Sequence, residues 1–179
     1  MGGVVSGQLI PGKLSVLVKP GHQVTGGTEA NNVREKTVNL QVANKIMAVL
    51  QAKQYGNEII LRKSPSSGAE YALSKKQYAT CVISIHCNSV KRRDAKGSEV
   101  LYKEENGFNG DPTRGHPLSK PLADKIGLRL KAAMNSSRKH MKHQPPYIEG
   151  NEDRNDGFLR TIGQEMPAVL LELGFMSNT

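Results

Sequence analysis

Short apolar runs alternate along this chain with longer stretches whose apolar positions recur at helical spacing. Leu14-Ser15-Val16-Leu17-Val18 reads as a buried strand ending at the turn signal Pro20-Gly21. A polar loop follows from Gln23 to Asn31. Val38, Val42, Ile46 and Val49, with Leu50 flanking, then predict an amphipathic helix. Asn32 with Glu35 three positions on matches a capping box at its start, and Gly56 closes it. Glu58 to Leu61 predicts a second strand, Lys63 to Gly68 a loop, and Tyr71 to Tyr78 a helix. Thr80 to Ile85, rich in β-branched residues, predicts a third strand, and Ser98 to Tyr102 a fourth, followed by the turn-rich stretch Glu105 to Gly115. Leu118, Leu122, Ile126 and Leu130 recur every four residues and mark a second long helix. The polar segment Asn135 to Asp156, with Pro145-Pro146, is expected to be a long loop near the site or a lid. Ala168 to Leu171 predicts a last buried strand.

Strands alternating with helices predict an α/β fold: a single twisted, mainly parallel sheet flanked by helices on both faces. A length of 179 residues suits one domain, with no internal repeat or low-complexity tract to divide it. Aromatics make up 4% and Trp is absent, so the core must be mostly aliphatic. The longest strongly apolar stretch, Pro167 to Leu171, falls far short of the roughly 20 residues a bilayer needs. The first twenty residues mix Ser, Gly, Gln and Pro among apolar positions and show no clear signal peptide.

Cys81 and Cys87 share one predicted strand, where about 3.3 Å per residue separates them by roughly 20 Å. That spacing excludes a disulfide between them, and two buried free thiols are expected. Lys and Arg total 25 against 16 Asp and Glu, a net charge of +9. Such a surface favours a polyanionic partner, with nucleic acid and the anionic polymers of a Gram-positive wall both open on charge alone.

The candidate chemistry sits at strand ends. His22 follows the first strand, His86 closes the third and Glu172 closes the last, while Glu35 opens the first helix. In open α/β sheets the working residues gather at the carboxyl ends of strands, and a helix start opens toward the same edge. His22, Glu35 and His86 would offer two nitrogens and one oxygen, the donor set of a catalytic zinc that keeps a position for water. Glu172, set in Leu170-Leu171-Glu172-Leu173, suits proton transfer because an apolar setting raises a carboxyl pKa. Taken singly, His22 reads as a turn histidine, Glu35 as the partner in a capping box and His86 as hydrogen-bonded structure. Glu172 is harder to dismiss, because a buried carboxylate is costly unless paired or functional. His140 and His143 are three apart but stand in a cationic run with no acidic ligand nearby, and His116 precedes Pro117 near a helix start. All three read as surface residues.

These positions carry a family resemblance. Val18-Lys19-Pro20-Gly21-His22, Glu35-Lys36-Thr37-Val38-Asn39-Leu40, Ser84-Ile85-His86-Cys87-Asn88-Ser89 and the run from Pro167 to Asn178 resemble, in order, the motifs of the amidase-3 family of zinc amidases. Leu61-Arg62, Gly97-Ser98-Glu99-Val100 and Phe158-Leu159-Arg160 match between them. The resemblance covers about residues 14 to 178. It implies hydrolysis of the amide between N-acetylmuramic acid and L-alanine in peptidoglycan, with Zn2+ held by His22, Glu35 and His86 and Glu172 as catalytic acid/base. Lys19 stands where the family commonly has an acidic residue or Asn, and Gln23-Val24 where glycines are frequent.

The expected partners are peptidoglycan and, through the basic surface, anionic wall polymers. Neither nucleic acid nor a membrane is expected, and the molecule is expected to act as a monomer at the bacterial cell wall, released by lysis or after loss of a leader. Residues 1–179 are expected to form one catalytic domain lacking the family's C-terminal helix and any wall-binding domain. Both a phage lysin and a bacterial autolysin fit. A zinc peptidase cutting the stem peptide would use the same site chemistry. A non-catalytic module held by charge would explain +9 but not two histidines and two glutamates at element ends.

Overall fold

The computed structural model describes residues 16–23, 26–53, 57–59, 80–89, 97–103, 114–134, 141–144, 159 and 162–176. Strand β1 (Val16–Pro20) leads into a small hairpin of β2 (Glu29–Ala30) and β3 (Val33–Arg34), then helix α1 (Glu35–Ala52). Strands β4 (Asn57–Ile59), β5 (Cys81–Asn88) and β6 (Glu99–Lys103) follow. Helix α2 (Ser119–Met134), β7 (Met141–Gln144) and β8 (Ala168–Phe175) complete the order. The six-stranded sheet runs β4-β1-β5-β8-β6-β7. β1 pairs in parallel with β4 and β5, β5 with β8, and β6 with β7, while β6 and β8 are antiparallel. The sheet is therefore mainly parallel, as the alternation of elements predicts. Because β6 runs against β8, its first residue lies at the same sheet edge as the carboxyl ends of β1, β5 and β8.

Period-two alternation divides β1, β5, β6 and β8 between two apolar layers. Val16, Val18, Ile85, Val100, Tyr102, Val169 and Leu171 pack with Ala43 and Met47 of α1 and Ala123 of α2. Leu17, Val82, Leu101 and Leu170 pack on the other face with Leu159, Ile162 and Met166. Among the described residues both long helices thus cover one face, and Leu159, Ile162 and Met166 cover the other. The expected loop Lys63–Gly68 and helix Tyr71–Tyr78 lie outside the described residues. No helix among the described residues is long and apolar enough to cross a membrane.

The structure corrects three expectations. First, the capping box is absent: Arg34 is the N-cap of α1 and no side chain caps it. Asn32 instead sits at φ 60° in the β2–β3 turn, and the Glu35 carboxylate points inward. Second, the buried line of α1 is Glu35, Asn39, Ala43 and Met47, whereas Val49 is 57% exposed. The small Ala43 lets the helix lie close on the sheet, so Val42, Ile46 and Leu50 become flanks, partly buried against the core. Third, the segment Asn135 to Asp156 is not all loop. Met141–Gln144 adds to the sheet as β7, because the outer edge of β6 offers backbone groups that need partners.

Met47→Ala is expected to cost about 2–5 kcal/mol of stability in urea unfolding, since it opens a cavity between α1 and the sheet. Val49→Ala should stay within about 0.5 kcal/mol of the parent. Equal losses for the two would mean that α1 is rotated from the orientation described.

Candidate active site

The chain leaves β1 with its pairing intact, Gly21 N–H donating to the Ile85 carbonyl at 2.8 Å. His22 then turns sharply at φ 60°, a left-handed conformation costing a non-glycine residue roughly 1–2 kcal/mol. The turn brings His22 Nε2 to 3.4 Å from Glu35 Oε1, at the first residue of α1. From β5, His86 Nδ1 comes to 3.3 Å from the same oxygen. The two imidazoles meet edge to face, centroids 4.8 Å apart. The donor atoms of His22, Glu35 and His86 all lie within 4.8 Å of one another. Gly21 makes this approach possible, because a Cβ there would overlap the His86 ring.

Glu35 is 3% exposed, and its carboxylate is surrounded by donors. Oε2 accepts Thr28 N–H at 2.9 Å, and Oε1 accepts Cys87 N–H at 3.2 Å and Asn39 Nδ2 at 3.3 Å. Burial by itself would raise this carboxyl, but the His86 contact, the Thr28 and Cys87 amides and the nearby His22 pull it down to about 2. His86 is held below its ordinary value, first by burial and then by the charges of His22 and Lys19, against the pull of Glu35. Lys19, where the sequence departs from the family habit, is itself buried in β1.

Glu172 has the opposite setting. It lies within β8, which runs on past Leu171 to Phe175, and stands in register with His86 on β5 and Glu99 on β6. Among the described residues, its buried Oε2 has no hydrogen-bond partner. Burial, then the charges of Glu35 and Glu99, push its pKa well above the ordinary carboxylate value. Glu99 is buried as well, and its Oε2 accepts Asn88 Nδ2 at 3.0 Å.

All four residues singled out from sequence therefore come to one sheet edge. Sequence reasoning missed Asn39, Gly21 and the Thr28 and Cys87 amides around them. Only Asn39 carried a usable signal, being four residues beyond Glu35 on the same helix face. Cys81 and Cys87 are buried free thiols, pushed up to about 11 and about 12, in both cases first by burial. His116 accepts Leu118 N–H on Nδ1 at 3.2 Å just before α2, and His143 lies in β7. His140 lies outside the described residues. An apolar hollow of about 500 Å³ between α1 and α2, floored by Ile83 and Leu171, opens on the helix-covered face and is no part of this cluster.

The family model for N-acetylmuramoyl-L-alanine amidase (amidase-3) matches residues 16–179. The chain belongs to the amidase-3 family. The N-acetylmuramoyl-L-alanine amidase LytC of Bacillus subtilis is 27% identical over 171 residues, covering 92% of this chain and 30% of LytC. The probable N-acetylmuramoyl-L-alanine amidase AmiB of Haemophilus influenzae is 21% identical over 198 residues, covering 93% of this chain and 46% of AmiB. The chain thus spans less than half the length of either relative. The crystal structure of an N-acetylmuramoyl-L-alanine amidase from Clostridium difficile 630 superposes with a TM-score of 0.69 at 25% identity, covering 93% of this chain and 82% of that one.

The two carboxyls of this cluster, Glu35 and Glu172, give opposite pH signatures. Glu35 is depressed from 4.5 to about 2, so its contribution, on the order of 3 kcal/mol, is present above 4.5 and lost as pH falls toward 2. Glu172 is raised, so its contribution is full below 4.5 and declines as pH rises from there. In calorimetry of the metal-free protein, Glu35→Gln is expected to flatten the acid limb of the stability curve. Glu172→Gln should raise the melting temperature at neutral pH and leave it unchanged below 4.5. A Glu172→Gln protein less stable than the parent at neutral pH would contradict this assignment.

Proposed function

We propose that this chain is a zinc-dependent hydrolase that cleaves the amide between N-acetylmuramic acid and L-alanine in peptidoglycan. The observation that carries the reading is the convergence of two imidazole nitrogens on one buried carboxylate, with a second buried carboxyl, Glu172, in register beside them. The donor set suits the metal. Ligands about 2.0–2.1 Å from a tetrahedral zinc stand roughly 3.4 Å apart. Both imidazole nitrogens stand 3.3–3.4 Å from Glu35 Oε1. His22, Glu35 and His86 would hold the ion. When bound, zinc lowers the pKa of a water to roughly 7 and polarises a carbonyl.

The remaining chemistry falls to Glu172. It takes the proton of the attacking water and returns it to the departing alanine nitrogen. The C–N bond then breaks to a lactyl carboxylate and a free amino end. A carboxyl raised by burial is a stronger base than an exposed one and, once protonated, a ready donor near neutral pH. A cation in the site would draw its pKa back toward that range. The basic surface favours residence on anionic wall polymers, and the place of action is the bacterial cell wall, with the chain acting as a single catalytic domain.

Glu172→Ala is expected to lower turnover on purified peptidoglycan by about 10²–10⁴-fold while the protein keeps one zinc by atomic absorption. A chelator should abolish wild-type cleavage, and mass spectrometry of the digest should show peptides beginning with a free L-alanine amine. Wild-type turnover by Glu172→Ala would sink the proton-transfer role. Products cut between amino acids would make the chain a peptidase instead.

A further inference from the structure

Asn39 is fully buried on α1, one turn beyond Glu35. Its Nδ2 donates to Glu35 Oε1 and to the Gly21 carbonyl, each at 3.3 Å. Its Oδ1 accepts the Cys87 thiol at 3.6 Å. These partners belong to the three segments that carry the proposed ligands: Gly21 precedes His22, Glu35 is itself one, and Cys87 follows His86. The amide has one workable orientation. Turned over, its oxygen would face the Glu35 carboxylate and the Gly21 carbonyl, both acceptors, and its NH₂ would lose both bonds.

We infer that Asn39, held in this orientation by Glu35, Gly21 and the Cys87 thiol together, is a positioning residue that sets the Glu35 carboxylate and the Gly21 seat of His86 for metal binding. The inference rests on the proposed metal site and deepens it. Without the Nδ2 donor, the carboxylate loses the contact that fixes its rotation from within its own helix. The exit of β1 loses its buried tie to α1 at the same time, which leaves the outer bridge of the Gln23 amide to the Gly21 and Lys36 carbonyls to hold the His22 turn and the strip of backbone under His86. Groups that orient metal ligands in this way typically govern affinity by about 10–100-fold.

The test is zinc affinity of the folded 179-residue chain, measured by competition with a fluorescent chelator and checked for fold by circular dichroism. Asn39→Leu keeps similar bulk but removes the amide, and should weaken zinc binding about 10–100-fold. Cys87→Ser keeps a donor to Oδ1 and should bind close to wild type, whereas Cys87→Ala leaves the buried Oδ1 without its donor, loosens the amide and should bind more weakly than Cys87→Ser. A purely structural Asn39 would shift the melting of the metal-free protein and leave the affinity of folded molecules unchanged, which would overturn the inference alone. A folded wild type that binds no zinc would overturn the metal site with it. If Asn39→Leu does not fold, the cysteine pair decides: weaker binding by Cys87→Ala than by Cys87→Ser supports the role, and equal binding rejects it.

Discussion

The carboxylate of Glu35 is almost closed off from water, and a buried charge persists only where donors replace the lost solvation. Much of the site follows from that requirement. The Thr28 amide, the Cys87 amide and the Asn39 side chain all point at it, and both histidines close on the same oxygen. Supplying those groups from a loop, a strand and a helix joins the exit of β1, the start of α1 and the end of β5 at one point. The carboxylate that can grip a cation is thus also what holds its neighbours in place.

A second carboxyl a strand away is left with less. Glu172 shares a register row with His86 and Glu99, and the reversal of direction between β8 and β6 puts Glu99 at this edge. One glutamate is satisfied and strongly acidic; the other is desolvated, flanked by like charge and weakly acidic. Environments that drive two carboxyls apart divide the labour between holding a charge and moving a proton. The arrangement costs stability at neutral pH, where the unfolded chain ionises Glu172 freely and the folded one resists.

The sheet behind this edge is ordinary in its packing. Two aliphatic layers alternate along β1, β5, β6 and β8, and α1 approaches closely because Ala43 faces the sheet. That closeness lets residues one turn apart at the start of α1, Glu35 and Asn39, reach the ends of β1 and β5. Membership of the amidase-3 family and the likeness in fold to the amidase from Clostridium difficile agree with this geometry.

Local pattern alone determined most of the elements and singled out the four residues that come together at one sheet edge. Apolar runs bounded by turn residues mark β1, β5, β6 and β8, helical spacing marks α1 and α2, and a histidine or glutamate directly after an apolar run stands out from the core pattern. Tertiary structure decided what depends on neighbours far along the chain. Val49 matches the helical period as well as Met47, but only contact with the sheet selects which is buried. Met141–Gln144 has a weak strand signal of its own and becomes β7 because β6 presents an edge to pair with. Asn32 and Glu35 fit a capping box locally, yet the carboxylate turns inward because three donors and two imidazoles outweigh one exposed backbone amide. Glu35 and Glu172 are the same residue type, and their opposite acidities come from the surroundings the fold builds around each, since solvation and charge are properties of the folded neighbourhood.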